Sequence, residues 1–480
     1  MTREARALPG CILITALLSA GGAATAQVPS AASVEAPSLR PVDASGSDQE
    51  LPFGSDGPRL PMRRGRDAAD SIGRPDPAPS EEEPTAADPQ GEFRLNVLAA
   101  QLQAQIGELP EARARFEALR AARPESTEPV NGLAGIAQQS GRWREALALY
   151  QASLRLDPGD PSVTDVIAAI ERAQASRLRA DVEYRRLEGG MGAGKTTAVI
   201  GSIGGHQLLD NGWRLGLSLD LAHVDADRIQ RANGAVERFS GLRQRGEIYA
   251  QHTGLDGQVV TGSLFMSGDT PGVGIRWERP DDRGTTFFRA EYRRPNWDFL
   301  QSIIEDGTRD RLAVARSQRV GRDVGLRLEV AGNRYGIRGD RDVARSITVT
   351  GEARLAGLGG VRGLSTAYVF DGEYLLEQSE RLNAAGARYA PLPILDREIH
   401  AVVLTYSGLW GDRIADGILA YEASGGYGID RYGKAGPLAY AAVGYNRGNL
   451  EFRIRANYVQ DIGRTRGTSS GYGASLTWVF

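Results

Sequence analysis

The stretch Gly471 to Phe480, GYGASLTWVF, alternates without a break. Tyr472, Ala474, Leu476, Trp478 and Phe480 fall on one face of an extended chain, and Ser475 and Thr477 lie on the other. Successive side chains of a strand point to opposite sides, so a period of two implies two surroundings, one apolar and one polar. The chain ends here on an aromatic residue.

Upstream, the same pattern recurs over roughly 300 residues. Trp213, Leu215, Leu217, Leu219 and Leu221 alternate with Arg214, Gly216, Ser218, Asp220 and Ala222. Val324, Leu326, Leu328 and Val330 alternate with Gly325, Arg327 and Glu329. Thr286, Phe288, Ala290 and Tyr292 alternate with Phe287, Arg289, Glu291 and Arg293. Leu450, Phe452, Ile454, Ala456 and Tyr458 alternate with Glu451, Arg453, Arg455 and Asn457. Asn211-Gly212 and Asp256-Gly257 mark hairpin turns. Strands near the 9 to 11 residues a bilayer demands, closed by an aromatic carboxy-terminus, are the pattern of outer-membrane β-barrels. At about 18 residues per strand and connection, residues 178–480 make an antiparallel transmembrane barrel of about 16 strands. A soluble barrel would point its apolar set inward, and periodicity alone does not separate the two.

The amino terminus supports the membrane reading. Arg3 and Arg6 precede the apolar run Cys11 to Ala20, and Ala24-Thr25-Ala26 forms an A-x-A cleavage site. Residues 1–26 therefore read as a secretory signal peptide. Leu8-Pro9-Gly10-Cys11 lies before the apolar run, the wrong side for a lipoprotein signal. Cys11 is the single cysteine, so a chain cut after Ala26 holds no disulfide and no cysteine-ligated metal. Residues 27–92 carry 11 of the 23 prolines with many Ser, Ala, Asp and Glu. That composition cannot bury enough surface to offset its ordering entropy, and the segment reads as a disordered tether. The net charge of −3 gives no argument for nucleic acid. A mean hydropathy of −0.33 is compatible with a barrel, because half of each strand faces a polar lumen.

Between tether and barrel, residues 93–177 turn helical and repeat at a period of 34. Gly107 recurs as Gly141, Ala112 as Ala146, Phe116 as Tyr150 and Pro124 as Pro158. Small residues let two antiparallel helices approach, the aromatic fills the gap between them, and proline closes the second helix. The segment resembles the tetratricopeptide repeat. Asp160-Pro161 opens a third helical stretch through Ala175, as a cap or half repeat. The fold class is thus α+β multidomain, a short repeat segment followed by the barrel.

Two stretches could carry chemistry. Gly189 to Thr196, GGMGAGKT, matches the phosphate-binding pattern G-x-x-x-x-G-K-[ST]. Its context is wrong: Asp181 to Glu188 is alternating and charged, and the following residues are glycine-dotted. A glycine-rich turn between the first two strands is expected. His206, His223, His252 and His400 show no ligand spacing, so no catalytic, cofactor-binding or metal residue is expected. Tyr292 to Arg311, YRRPNWDFLQSIIEDGTRDR, interrupts the barrel with about fifteen residues, a length often functional. Phe299, Ile303 and Ile304 could form one apolar face of a short helix there. The stretch is either an ordinary surface loop or a constriction folded into or over the lumen.

The order of signal, tether, tetratricopeptide repeats and barrel is similar to the outer-membrane exporters of bacterial exopolysaccharides of the Pel exporter and cellulose synthase operon protein C type. Arg293-Arg294-Pro295 and Gly307-Thr308-Arg309-Asp310 resemble pieces of their barrels. Such exporters carry many repeats, and this chain has about two. The resemblance implies an outer-membrane protein, not an enzyme, that passes a nascent polysaccharide, with tether and repeats in the periplasm. It implies as partners membrane lipid, the barrel assembly machinery, and polysaccharide-modifying or scaffold proteins at the repeats. Alternation assigns Arg214, Asp220, Arg289, Glu291, Arg293, Arg327, Glu329, Glu451, Arg453 and Arg455 to the lumen as candidates for the polymer path. The alternative is a barrel that docks partners or serves as an adsorption surface, with a periplasmic enzyme a distant third.

Overall fold

The computed structural model describes residues 89–189, 194–321, 323–411, 417–462 and 467–480. The signal peptide and nearly all of the tether lie outside them. Five helices come first: α1 (Pro89–Ile106), α2 (Leu109–Ala122), α3 (Thr127–Gln139), α4 (Trp143–Leu156) and α5 (Pro161–Gln174). The helical segment starts at Pro89, four residues before Phe93, the first periodic apolar residue. Proline suits a first helical turn, where its missing N–H has no partner to lose. Arg123 holds the start from outside: its Nη2 donates to the Pro89 carbonyl at 3.0 Å, and its guanidinium lies 4.3 Å from the centre of the Phe93 ring.

The repeat positions do what their chemistry suggests. Ala112 and Ala146 are fully buried, and Phe116 and Tyr150 fill the gaps between helices. A Cβ on Gly132 of α3 would lie 2.5 Å from the Phe116 ring, so that approach needs glycine. Gly107 and Gly141, with φ of 89° and 76°, end α1 and α3 in the left-handed conformation that glycine adopts at no steric cost. Burial pushes the Tyr150 hydroxyl up to about 12. Asp160 caps α5, accepting from the Ser162 hydroxyl and from the N–H groups of Ser162 and Val163, and these bonds hold its carboxyl below the ordinary value.

From Arg177 onward the chain is strand. Sixteen strands, from Arg177–Glu188 to Thr468–Val479, pair antiparallel with their sequence neighbours, and the last pairs with the first to close the barrel. Arg177 faces Val479, and the Phe480 N–H donates to the Ser176 carbonyl at 2.9 Å where the two ends meet. That end is the near rim and the opposite one the far rim. A two-stranded hairpin, Arg381–Leu382 with Arg388–Tyr389, sits in the far-rim connection between Leu364–Gln378 and Arg397–Trp410.

The direction of the side chains decides between a soluble and a membrane barrel. Leu217, Ile248, Leu264, Leu312, Leu328 and Ile454 are exposed on the outer wall. On the same strands Arg214 and Asp220 are each only 6% exposed, inside. Tyr472, Leu476, Trp478 and Phe480 are about half exposed, and Ser475 and Thr477 are buried. Aromatics ring the outer wall at both rims: Trp213, Trp410 and Trp478 at the near one, Tyr292, Tyr427 and Tyr472 at the far one. An apolar band between aromatic girdles outside a charged interior is the inverse of a water-soluble barrel and fits a bilayer. Among the described residues no helix is long and apolar enough to cross a membrane. The strands do the crossing.

The glycine-rich motif falls in the far-rim connection of the first hairpin. Residues 190–193 lie outside those described. Strands Arg177–Glu188 and Thr196–Leu208 flank it and pair with each other, so strand follows where a phosphate-binding loop needs a helix.

Candidate functional site

The inner wall is lined with ionised side chains that hold one another across strands. Asp220 accepts from Arg245 Nε at 2.6 Å. Glu329 accepts from Arg311 Nη2 at 2.5 Å and lies 3.4 Å from Arg327. Arg289 sits 3.9 Å from Glu291, which also accepts from Arg294 Nη1 at 2.5 Å. Arg455 reaches over the last strand to the first, donating to Asp181 at 2.9 and 3.0 Å and to Glu183 at 2.7 Å. Gly473 makes that reach possible, since a Cβ there would lie 3.1 Å from the guanidinium. Arg453 turns the other way, to the Tyr440 hydroxyl at 3.0 Å and Glu422 at 3.5 Å. Ladders of this kind satisfy charges that a dry core would penalise.

Two candidates mark the near rim. Arg214 Nη2 donates to Gln174 Oε1 at 3.0 Å, at the end of α5. Glu451 lies 3.6 Å from Arg172, also on α5. Farther along the same rim, Asp282 in the turn before Gly284–Pro295 accepts from Arg113 Nε and Ser140 Oγ, both at 3.0 Å, and pairs with Arg142. Arg144 Nη1 donates to the Thr253 carbonyl at 2.7 Å. A Cβ on Gly107 would meet the Gly321 carbonyl oxygen at 2.5 Å. The helices are thus fastened along the rim from the first strand to the turn at Gly321.

One candidate is corrected. Arg293 does not continue the inward series of Arg289 and Glu291. Glu291 pairs with Arg311 and Arg294 with Arg309, so Tyr292 and Arg293 together oppose the single residue Asp310. This β-bulge places Arg293 at φ 53°, puts its side chain on the outer wall beside Tyr292, and brings Arg294 inward. Inside, the Arg294 guanidinium lies 5.4 Å from the centre of the buried Phe265 ring.

The long stretch after the bulge folds inward. Its neck is closed by Asn296 N–H donating to the Gly307 carbonyl at 2.8 Å, and it carries the short helix α6 (Leu300–Ile304). Trp297, Leu300, Ile303 and Ile304 pack on Leu187, Ala198, Ile200, Ala222, Val224, Ala226 and Ile229, the inner faces of the first three strands. The loop leaves the wall between Gly284–Pro295 and Thr308–Val320 and is seated across the lumen. Arg243 donates to the Ile304 carbonyl at 2.6 Å, Arg231 to Glu305 at 2.5 Å, and Gln301 to the Gln230 carbonyl at 2.7 Å. Arg185 donates to the Trp297 carbonyl at 3.2 Å, and the Arg245 guanidinium lies 4.4 Å from the Trp297 ring centre. Phe299 joins Tyr335, Ile337 and Val343 with Leu392 and Ile394 of the far-rim connection that carries the two-stranded hairpin. The segment folds into the lumen, and the ordinary surface loop is set aside.

Several inner-wall residues escaped the sequence reading. Arg185 and Arg311 stand in runs where charges crowd both faces, and Arg245 lies between Gln244 and Gly246, neither of them a large apolar residue. Arg397 with Asp371 and Glu373 forms a buried network in which Glu373 also accepts from the Tyr335 hydroxyl at 2.5 Å. No pattern announced it. Among the described residues no group of three or more His, Cys, Asp or Glu is placed to hold a metal.

A membrane barrel with a charged lumen entered by one loop and a helical repeat at one mouth is the class defined by this geometry. Residues 105–170 match the tetratricopeptide repeat model. No curated protein matches the chain in sequence. Among solved structures, a bacterial polysaccharide outer membrane secretin is similar over 63% of this chain and 98% of its own, at 10% identity and a TM-score of 0.43. OprB of Pseudomonas putida is similar over 67% and 96%, at 11% identity and 0.33. OprD of Pseudomonas aeruginosa is similar over 64% and 93%, at 9% identity and 0.31.

Proposed function

We propose that this protein is an outer-membrane channel that exports an exopolysaccharide, with the near rim and its helices in the periplasm. The observation that carries the reading is the lumen: a ladder of paired arginines and carboxylates through a lipid-facing barrel, narrowed by one seated loop. A hydrated polymer needs hydrogen-bonding groups along its path, and arginine forks and carboxylates supply them. Arg214, Asp220, Arg289, Glu291, Arg327, Glu329, Glu451, Arg453 and Arg455 are the proposed path, now with Arg294 in place of Arg293. The helices, fastened to the rim, offer their remaining surface to periplasmic enzymes or scaffold proteins.

A second reading, a closed barrel that docks partners, is favoured by the apolar seam between the two far-rim loops at Phe299 and Leu392. One experiment separates the two. Changing Arg453 and Arg455 together to glutamate should alter ion preference in planar bilayers and lower surface polysaccharide at constant protein level. Unchanged polysaccharide with a normally assembled variant would favour the docking barrel.

A further inference from the structure

The outer wall near the far rim carries a groove of about 700 Å³, within the range of ligand clefts, about 300–1,000 Å³. Its walls are Val273, Ile275, Leu312, Ile347 and Leu376, all exposed. The dip arises because small residues stand in the row that crosses it. Ile275 faces Ala290, Ala290 faces Leu312, Leu312 faces Gly332, and Gly332 faces Ile347. Nothing lies within 4 Å of a Cβ built on Gly332. The apolar walls of the groove face the lipid side of the barrel.

Two residues farther along, towards the far rim, the row holds Val273 and Tyr292 and then the charged Asp310, Arg334 and Arg345. Asp310 is held by Arg334, whose Nε donates at 2.9 Å. Arg345 donates to Asp342 at 3.1 Å and lies 3.2 Å from Glu377. Those two arginines thus face three carboxylates, and Asp310 also accepts from the Arg293 backbone N–H at 2.7 Å. Two more arginines converge on Tyr292 beside them. The Arg293 guanidinium lies 5.4 Å from the Tyr292 ring centre, and Arg341 Nη1 donates to the Tyr292 hydroxyl at 3.5 Å. Neither has a carboxylate partner among the described residues. The bulge that turns Arg293 outward sets a non-glycine residue at φ 53°, a strained conformation of the kind that gathers at functional sites.

We infer that this groove binds one anionic membrane lipid, an acyl chain lying over Ala290 and Gly332 and a phosphate headgroup at Arg293 and Arg341. The occupant follows from position and charge: an apolar trough inside the apolar band, surmounted at the aromatic girdle by four arginines against the three carboxylates Asp310, Asp342 and Glu377. Arginine matches phosphate with a planar fork of donors. The inference rests on the membrane reading above and places the lipid in the leaflet at the far rim.

The test uses the full-length protein in mild detergent, with native mass spectrometry. The probes are diphosphorylated lipid A, its dephosphorylated form, phosphatidylglycerol and inorganic phosphate. Wild type should retain a phosphate-bearing acyl lipid. The pair Arg293→Gln with Arg341→Gln should weaken phosphorylated lipid about tenfold or more, the scale of losing charge-assisted bonds, and leave the dephosphorylated form unchanged. Gly332→Leu, which fills open space, should weaken every acyl lipid. Inorganic phosphate alone should neither bind tightly nor compete. Equal lipid retention by wild type and both variants overturns the site, as does phosphate binding without a chain requirement. Each variant is first checked for heat-modifiable gel mobility and bilayer insertion. Failure of wild type there rejects the membrane reading, whereas insertion without lipid selectivity rejects the lipid site alone.

Discussion

At the residue scale, Asp282 shows how one carboxylate can hold two parts of the molecule together. Arg113 of α2 and Arg142, at the start of α4, both bind it, and both also bind Glu145, at 2.9 and 3.1 Å. Asp282→Ala would strip the barrel's share of this network and leave two half-buried guanidiniums with Glu145, and Arg113 also with Glu117 at 3.9 Å. The lost charge-assisted bonds amount to about 1.5–3 kcal/mol, discounted because every partner keeps some contact with water. Limited proteolysis should then cut within residues 89–175 faster than in wild type, while the barrel keeps its heat-modifiable mobility. Unchanged cutting would mean that Arg144 and the Gly107–Gly321 contact carry the docking.

Arg293 shows what single residues conceal. Alternation assigned Arg289 and Glu291 to the inner wall, because each neighbour was apolar and the contrast plain. It then assigned Arg293 to the same face. In Arg293-Arg294-Pro295 two like side chains are adjacent, and period two cannot say which of them turns inward. The choice was made by the backbone at φ 53°, and no local composition encodes it. The buried network of Arg397, Asp371 and Glu373 was hidden for a related reason. Its members come from two strands, so it exists only once the strands pair.

At the element scale, the inward loop occupies part of the barrel's interior. Ile303 and Ile304 are fully buried against the first three strands. Length and an apolar pair were legible in YRRPNWDFLQSIIEDGTRDR, which is why a short helix could be expected. Where that helix would sit was not legible, because its seat is built from Ala198, Ala222, Val224 and Ile229, inner positions of distant strands. Ile303→Asp should unseat the loop, since an unpaired carboxylate in that apolar cluster costs several kcal/mol, about as much as the loop's packing supplies. Single-channel conductance should rise, with no change in the amount of assembled barrel. Conductance equal to wild type would show that the loop does not limit the pore.

At the scale of the whole molecule, the two-faced strands, their number and the helical repeat were all readable from residues such as Leu215 to Leu221 and the pair Phe116 and Tyr150. Each depends on a short-range period. The fastening of the helices along the near rim was not, because Asp282 lies more than a hundred residues from both Arg113 and Arg142 and belongs to an element of different type. The lipid side and the water side of the wall were likewise open until closure of the barrel put Leu217 and Ile454 outside and Arg214 and Arg455 inside.

That assignment of faces carries everything else, and it can be measured directly. The chain's single cysteine, Cys11, lies before the expected cleavage site, so one cysteine placed in the barrel reports alone. Phe452→Cys, Arg453→Cys, Ile454→Cys and Arg455→Cys, each reconstituted in lipid vesicles, would be exposed to a small charged methanethiosulfonate. Positions 453 and 455 should react at rates set by water in the lumen, and 452 and 454 should be protected by lipid. Equal reactivity at all four positions, or the reverse alternation, would contradict a water-filled path through a membrane-spanning barrel.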